Sequence, residues 1–301
     1  PRDSIRRQRQ MCIRDSVWAE QSSQYTSASL GGELVRGDDF LNASSSVLAR
    51  EGVPDFDELL QTVLNKYEWA LRGAATVSSG TLPVLFLPRV VARVLGGLFD
   101  TVLSGQTVVQ KASPLSDRVG EQVFPQYLTL YEDPAIGPGA CKFDDEGTPT
   151  TATTYIDQGI VRGFYWDRRW AARGGVEPTG NGFRGGLSRA GADLVNLCLA
   201  PGQTSTADLI ASMEEGIIVD QVLGAGQSNQ LAGEFSVNLD LGYKVEKGEV
   251  VGRVKDTMVA GSIFESLEQV TDLGDRPEWV GTGSYVPSLL FSQLGVASRQ
   301  G

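Results

Sequence analysis

Glycine is the residue that most constrains the fold of this chain, because 36 of its 301 residues are glycine and only 13 are proline. Glycine tolerates the backbone conformations that tight turns and strained corners require. Many such turns are typical of short strands that follow one another, so the sequence predicts a strand-rich architecture. A hydrophobic content of 41% is enough to bury a core, as one large domain or as one domain with part of another.

Histidine is absent from the whole sequence. Its absence excludes the ordinary Ser-His-Asp and Cys-His nucleophiles and a catalytic zinc held by imidazole. It also removes the side chain whose unperturbed charge changes near neutral pH. What remains is chemistry by carboxylates, by lysine or a Ser-Lys pair, by a metal held through oxygen ligands, or no catalysis at all.

The charge and the cysteines indicate a compartment and exclude some partners. A net charge of −11 and a pI near 4.6 argue against nucleic acid or an anionic membrane as a partner. Cys12, Cys141 and Cys198 have no C-x-x-C spacing, which is typical of a reducing cytoplasm. No stretch approaches the roughly 20 apolar residues of a membrane span. The sequence therefore predicts a soluble cytoplasmic protein.

Residues 1–16 differ from the rest of the chain. They contain five arginines, and the tripeptide Arg-Asp-Ser occurs in them twice. This composition is typical of translated adapter or vector sequence. We therefore expect residues 1–16 to be a non-native leader.

Local patterns in the next part of the chain predict a hairpin followed by a helix. Residues 25–35 and 40–48 have strand propensity on either side of a turn at residues 37–39. An amphipathic helix follows, and Asp55 or Asp57 can cap its first turn.

A second helix is predicted after a short apolar strand over residues 84–87, with Pro88 at its first position. Its apolar stripe consists of Val91, Val94, Leu95, Leu98 and Val102. The later predicted elements are a hairpin over residues 150–156 and 160–165, helices over 167–173, 205–216 and 262–270, strands over 217–254, and a closing strand over 286–296.

Three short patterns have both a functional and a structural interpretation. Residues 180–185 spell G-x-G-x-x-G, but no strand precedes them and no helix follows, which favours a tight loop over a dinucleotide site. The acidic run at residues 144–146 has the groups for acid-base or hard-metal chemistry, although turn formation before a strand is the favoured role. Lys111 and Ser113 form a Ser-Lys pattern, for which a solvated loop is the favoured explanation.

An ordered set of motifs gives the chain a resemblance to a known family. Together they resemble the TldD/PmbA family, once called modulators of DNA gyrase, over residues 25–296. The motifs are Phe143-Asp144-Asp145-Glu146-Gly147-Thr148-Pro149-Thr150, Ile156-Asp157-Gln158-Gly159-Ile160-Val161-Arg162-Gly163, Thr179-Gly180-Asn181-Gly182, Asn196-Leu197, Pro201-Gly202-Gln203-Thr204-Ser205, Gly226, Asn229, Gly233-Glu234-Phe235-Ser236 and Glu246-Lys247-Gly248-Glu249.

The resemblance also locates where a metal site would lie. In the TldD branch a helix carries H-E-x-x-x-H, with two histidine ligands and a glutamate base. The corresponding residues here are Pro88, Arg89 and Arg93, and a guanidinium neither ligates a cation nor acts as a base. The family's cysteine ligand is missing as well, since residues 280–283 contain none. The chain therefore resembles the PmbA or TldE-like branch, for which no metal or other cofactor is expected.

The resemblance implies an α+β, strand-rich fold in which antiparallel sheet curls into a barrel-like body with packed helices. It implies that residues 17–80 are the remnant of a front domain with its connecting helix, and that residues 81–301 are the family's C-terminal domain. The candidate structural or peptide-channel residues are Asp144, Asp145, Glu146, Gly147, Thr179, Gly180, Asn181, Gly182, Asn196, Pro201 and Gly202.

The implied function is that of a non-catalytic subunit in a TldD-type zinc peptidase complex that acts on unfolded peptides. Its partner would be a TldD-like subunit, in a hetero-oligomer, with a homodimer as a further possibility. Two alternatives stay open. One is an independent hydrolase that uses carboxylates with Mg²⁺ or Ca²⁺, and the other is a homo-oligomeric peptide-binding module.

Overall fold

Three long strands form the first sheet of the computed structural model, which describes residues 3–13, 17–37, 39–186, 188–225 and 229–299. They are β1 (Asp3–Ile13), β2 (Val17–Arg36) and β3 (Asp39–Ala49), paired antiparallel in that order. The hairpin expected around residues 37–39 is confirmed, and both of its strands extend beyond the predicted bounds. Asp38 lies outside the described residues. Strand β1 falls within residues 1–16, whose non-native origin stays a prediction.

Helix α1 (Phe56–Leu71) packs on this sheet. Asp55 is its N-cap, and the Asp55 carboxylate accepts hydrogen bonds from the backbone N–H groups of Asp57 and Glu58 at 3.0 Å each. A carboxylate at this position satisfies helix donors that have no partner within the helix. The first of the two predicted caps is therefore the correct one.

A closed five-stranded barrel forms the body of the molecule. Its strands are β5 (Gly80–Phe86), β12 (Glu215–Leu223), β13 (Glu234–Glu246), β15 (Thr257–Ser262) and β19 (Leu289–Ser298). Strand β5 pairs with β12 and β19, β19 with β15, β15 with β13, and β13 returns to β12. The β5–β12 pair is parallel and the other pairs are antiparallel. The expected strand-rich α+β fold with a barrel-like body is confirmed.

Shorter strands extend the barrel at its rim. Strand β4 (Ala74–Ala75) pairs with β14 (Glu249–Val254), which pairs with β13, and β16 (Val270–Leu273) pairs with β19.

Strand β5 divides its side chains between two hydrophobic cores. Val84 and Phe86 belong to the larger cluster, whereas Leu85 belongs to a smaller one that also contains Leu41 of the first sheet. Successive side chains of a strand point to opposite faces, so both faces of β5 are covered. The strand therefore fixes the position of the helix that follows it.

That helix changes its hydrogen-bonding pattern along its length. It consists of α2 (Pro88–Val90), a π-helical segment (Val91–Gly96) and α3 (Gly97–Leu103), and we refer to the whole as the 88–103 helix. Pro88 is its first residue, as predicted, and all members of the predicted apolar stripe are buried. The π-helical segment was not foreseen. Such segments are rare and frequently lie at functional sites.

A second sheet of six strands lies beside the barrel. In spatial order it contains β17 (Glu278–Val280), β18 (Ser284–Val286), β11 (Leu197–Leu199), β6 (Leu130–Glu132), β7 (Thr153–Asp157) and β8 (Ile160–Val161). The hairpin predicted over residues 150–156 and 160–165 is present as β7–β8 but is shorter. Its ends pair elsewhere, because Thr150 N donates to Lys142 O and Tyr165 N donates to Leu103 O.

The remaining elements are short. They are α4 (Gly105–Val109), α5 (Arg168–Gly174), β9 (Gly182–Phe183), β10 (Gly191–Ala192), α6 (Thr206–Ala211), a 3-10 turn (Gln230–Ala232) and α7 (Ile263–Glu268). Helices α5, α6 and α7 correspond to the three later helices that the sequence predicts. Within the described ranges, no helix combines the length and the apolar character needed to cross a membrane.

Candidate functional site

The buried carboxylate of Asp144 organises the acidic run. Its Oδ1 accepts hydrogen bonds from the backbone N–H groups of Glu146 at 2.9 Å and Thr148 at 2.8 Å. Its Oδ2 accepts from Gly182 N at 2.8 Å. Asp144 thus closes its own turn and joins that turn to the glycine-rich loop, which agrees with the turn-forming role favoured by the sequence.

Asp145 and Glu146 attach the same turn to its surroundings. Asp145 Oδ2 accepts from Arg184 N at 2.9 Å, and Glu146 Oε2 accepts from Arg168 N at 2.7 Å. A Cβ at Gly182 would lie 2.4 Å from Glu146 Oε2. Glycine at this position allows the loop to approach the turn closely.

Two further glycines of the motif have left-handed backbone conformations, with φ of 78° at Gly147 and 83° at Gly180. Strand β9 (Gly182–Phe183) lies within the glycine-rich stretch, and the next element among the described residues is strand β10 rather than a helix. Residues 180–185 are therefore a tight loop and not a dinucleotide fingerprint.

The Ser-Lys pattern is structural as well, since Ser113 Oγ donates to Val102 O at 2.6 Å while Lys111 is exposed.

Asn181 lies against a buried glutamate that the sequence analysis missed. Glu132 is 2% exposed, and it accepts hydrogen bonds from Tyr155 Oη at 2.6 Å, Asn181 Nδ2 at 2.9 Å and Val195 N at 2.5 Å. Burial raises the pKa of the Glu132 carboxyl, and these hydrogen bonds oppose the rise. Thr179 Oγ1 donates to Asn181 Oδ1 at 2.6 Å, which orients the amide toward Glu132.

Asn196 and Gly202 also contact the backbone of distant segments. Asn196 Oδ1 accepts from Asp133 N at 2.9 Å, and Asn196 Nδ2 donates to Asp133 O at 2.7 Å. Gly202 and the exposed Pro201 lie near β16, where a Cβ at Gly202 would be 2.2 Å from Leu273 O. The structure thus gathers most of the motif residues into one hydrogen-bonded scaffold, while Pro201 and Gly202 form a separate contact. Gly226, another motif residue, lies outside the described residues.

A cavity of about 760 Å³ opens where the 88–103 helix begins, and we call it the first cavity. Pro88 and Arg89 lie on one side of it, and Val280 and Gly281 lie on another. Two of the segments that the resemblance assigns to the metal site, the start of the helix and residues 280–281, thus meet here although they are far apart in sequence. Arg93 is exposed and is not among the residues that line this cavity.

Charged side chains line the first cavity. Lys66 Nζ forms an ion pair with Asp220 Oδ1 at 2.7 Å, and the side chain of Asp220 is 1% exposed. Arg89 Nη1 donates to Ser44 Oγ at 3.3 Å. Glu278 faces the cavity with its side chain exposed, and partial desolvation by the surrounding protein raises the pKa of its carboxyl while Lys66 opposes the rise.

These residues do not fit a zinc ion. Proline offers no side-chain donor, arginine carries a positive charge, and valine and glycine have no ligating atom. Across the part of the chain that the structure describes, no group of three or more Cys, Asp or Glu residues is placed to hold a metal.

A smaller cavity of about 420 Å³, the second cavity, lies further along the same helix. Gly96, Gly97 and Asp100 line it from the helix, and Asp193 and Arg184 line it from the glycine-rich region. Burial is the main reason that the pKa of Asp100 rises to about 6, with a further rise from the charge of Asp193. Sequence reasoning missed this cavity, because single aspartates in unrelated segments carry no motif.

Comparison with known proteins places this geometry in a family. The family model described as the PmbA/TldA metallopeptidase C-terminal domain matches residues 79–298. A metalloprotease TldD homologue from Haemophilus influenzae is 31% identical over 179 residues, which cover 58% of this chain and 37% of the relative.

Two crystal structures resemble the chain closely. TldE from Thermococcus kodakarensis is 27% identical with a TM-score of 0.83, over 94% of this chain and 64% of that one. A structure from Thermotoga maritima, assigned as a modulator of a DNA gyrase, is 30% identical with a TM-score of 0.81, over 93% of this chain and 64% of that one. The chain spans from 37% to 60% of the first three curated relatives' lengths. The chain belongs to the PmbA/TldD family of metallopeptidase-related proteins.

Proposed function

We propose that this chain is a non-catalytic, TldE/PmbA-like subunit that assembles in the cytoplasm with a TldD-like zinc peptidase and helps to hold unfolded peptide for that partner. The observation that carries the proposal is the composition of the first cavity. Pro88 and Arg89 line it where the resemblance expects a histidine and a glutamate.

The electrostatics of the first cavity support a role other than metal binding. Arg89, Arg276 and Lys66 line it together with the carboxylates of Asp220 and Glu278. Asp220 is already paired with Lys66. Removing one partner of such a buried pair is strongly destabilising, so Asp220 is held in place for structure rather than left free as a ligand.

The edge of the second sheet supports peptide binding. Strand β17 is the outer strand of that sheet, and its three residues line the first cavity. An outer strand has unpaired backbone groups on one side, and an extended peptide can pair with them whatever its side chains are. This mode suits an unfolded substrate of varied sequence.

The contacts of the acidic run argue against the alternative of an independent carboxylate hydrolase. Both oxygens of Asp144 accept backbone hydrogen bonds, and the residue is fully buried. Asp145 and Glu146 likewise accept from backbone N–H groups. A general base needs a lone pair that can reach substrate, and these carboxylates are engaged within the scaffold.

The test is co-expression with a TldD-like chain that has an intact H-E-x-x-x-H. We expect the two chains to coelute and hydrolysis of unfolded casein to require both. The variant Asp145→Asn distinguishes a subunit from a hydrolase. For a subunit, we expect it to weaken assembly, which lowers the amplitude of the pH-rate profile of the complex and leaves the shape of that profile unchanged. Casein hydrolysis by this chain alone, abolished by Asp145→Asn in a folded protein, would favour the hydrolase. Self-association without a partner would favour the homo-oligomeric module.

A further inference from the structure

The two cavities lie along one side of the 88–103 helix. Arg89 lines the first cavity near the beginning of the helix, and Gly96, Gly97 and Asp100 line the second cavity nearer its end. The cavities also share the β17–β18 hairpin, whose tip residue Gly281 lines the first while the next residue, Thr282, lines the second. The two cavities therefore adjoin at the tip of this hairpin, and we refer to them together as the groove between helix and hairpin.

The charges at the two ends of this groove differ in sign. At the first cavity three cations, Lys66, Arg89 and Arg276, face two carboxylates, and the Lys66–Asp220 ion pair neutralises one charge of each sign. The two positive charges of Arg89 and Arg276 then outnumber the single remaining negative charge, that of Glu278.

At the second cavity the balance is reversed. Asp100 and Asp193 face one cation, Arg184. Tyr165 Oη donates to Asp100 Oδ1 at 2.9 Å, so the Asp100 side chain is held in place.

We propose that the groove holds an extended peptide in one direction, with its C-terminal carboxylate at Arg89 and Arg276 and its N-terminal ammonium group at Asp100 and Asp193. The assignment rests on the proposed role of the chain in holding peptide. A zwitterionic peptide matches the groove because its two termini have the charges opposite to those of the two ends.

The length of the groove selects short peptides. Arg89 and Asp100 are eleven residues apart along the helix, which corresponds to at most about 16 Å at the α-helical rise of ~1.5 Å per residue, because the π-helical segment between them rises less. An extended chain rises ~3.3 Å per residue, so about five residues span this distance. Short peptides of this size are what a protease releases, and a groove of this length fits them rather than a folded protein.

Two glycines of the helix lie at the acidic part of the groove. Gly96 and Gly97 are consecutive on the helix, and both line the second cavity. Atoms of Ser284 and Leu197 lie 3.8 Å and 3.9 Å from the place of a Cβ at Gly96, so close approach of a bound backbone is expected at Gly97.

The experiment measures penta-alanine binding to the isolated full chain by calorimetry. Four forms of the peptide are used: both termini free, N-acetylated, C-amidated, and capped at both ends. We expect amidation and acetylation each to weaken binding by roughly fivefold, since each removes one charged contact at a partly exposed site.

Variants assign each end of the peptide. In Arg276→Gln amidation should weaken binding less than it does in the parent chain, because Arg89 alone remains, while acetylation keeps its full effect; in Asp193→Asn the reverse should hold. Arg118→Gln and Asp240→Asn line neither cavity, the first with its side chain 43% exposed and the second at an exposed position, and both should respond to the two caps as the parent chain does. Thermal melts of all variants establish that they are folded.

The opposite pairing, with Arg276→Gln cancelling the effect of acetylation, would overturn the proposed direction. If neither acetylation nor amidation changed the affinity of the parent chain for the peptide, the proposal that the groove binds both termini would be wrong. Failure of the subunit role is seen separately, as loss of coelution with the TldD-like chain. If the folded chain coelutes with the TldD-like chain but its peptide affinity does not depend on the caps, this inference is wrong and the subunit role stands.

Discussion

Lys66 and Asp220 form an ion pair at the wall of the first cavity, with 2.7 Å between Nζ and Oδ1 and side-chain exposures of 11% and 1%. Lys66 also donates to Ser44 O at 3.2 Å, and Asp220 also accepts from Tyr243 Oη at 3.4 Å. The pair joins α1 to β12 and so connects the first sheet and its helix to the barrel.

Replacing Lys66 with methionine should destabilise the protein by about 3–5 kcal/mol, because Asp220 would remain buried without a countercharge. Urea denaturation at pH 7 measures the free energy of unfolding. The control is Arg118→Met, whose surface pair with Glu121 should contribute less than about 1 kcal/mol. Equal losses in the two variants would contradict a special role for the buried pair.

Gly182→Ala should destabilise the protein by about 1–3 kcal/mol, because its Cβ would lie 2.4 Å from Glu146 Oε2 and displace a carboxylate that accepts from Arg168 N. Gly191→Ala is the matched control. It lies in the paired strand β10, and a Cβ there meets no atom within 4 Å. Thermal melts of the two variants compare them, and a harmless Gly182→Ala would show that the loop does not need this close approach.

The pKa of Asp100, raised from 3.8 to about 6, predicts a pH-dependent stability. Near pH 4 and below, the carboxyl is largely protonated in the folded state, so its burial costs little. As pH rises toward 6, ionisation is easier in the unfolded chain, and the wild type should lose up to about 3 kcal/mol relative to Asp100→Asn. Above about pH 7 the difference should stay constant.

Urea denaturation of the wild type and Asp100→Asn at several pH values between 4 and 8 measures this difference. Asp117→Asn, at an exposed position, controls for a general change of charge. Tyr165 and Asp193 face Asp100, so Asp193→Asn should reduce the pH dependence without removing it. Parallel curves for wild type and Asp100→Asn would refute the prediction.

The isolated chain should bind no stoichiometric zinc, because the first cavity offers proline and arginine where ligands would lie. The triple variant Pro88→His, Arg89→Glu, Arg93→His should not gain tight binding either. Position 93 does not line that cavity, and residues 280 and 281 supply no third ligand. Elemental analysis after dialysis measures zinc per chain, and one equivalent in the parent chain would overturn the proposed function.

Local features of the fold were accessible from the sequence. The Asp55 cap, the start of a helix at Pro88 and the buried stripe on that helix follow from interactions within a few residues of each other. Strand ends were less accessible, because a residue such as Thr150 pairs according to the tertiary neighbours it meets.

The candidate site depended on long-range contacts that no local pattern records. Glu132 has no motif of its own, yet Asn181 and Val195 donate to it. The meeting of Arg89 with Gly281 in one cavity follows from the sheet topology rather than from spacing. The π-helical segment is a further case, since its residues have the apolar pattern of an ordinary helix.

Closure of the barrel has a consequence for how the protein is made. Strand β19 pairs with both β5 and β15, so the first and last barrel strands in the sequence are hydrogen-bonded neighbours. During synthesis β5 leaves the ribosome long before β19 exists, and pairings between such distant segments form slowly. Until translation passes residue 298, β5 keeps one edge unpaired and is exposed to association with other nascent chains.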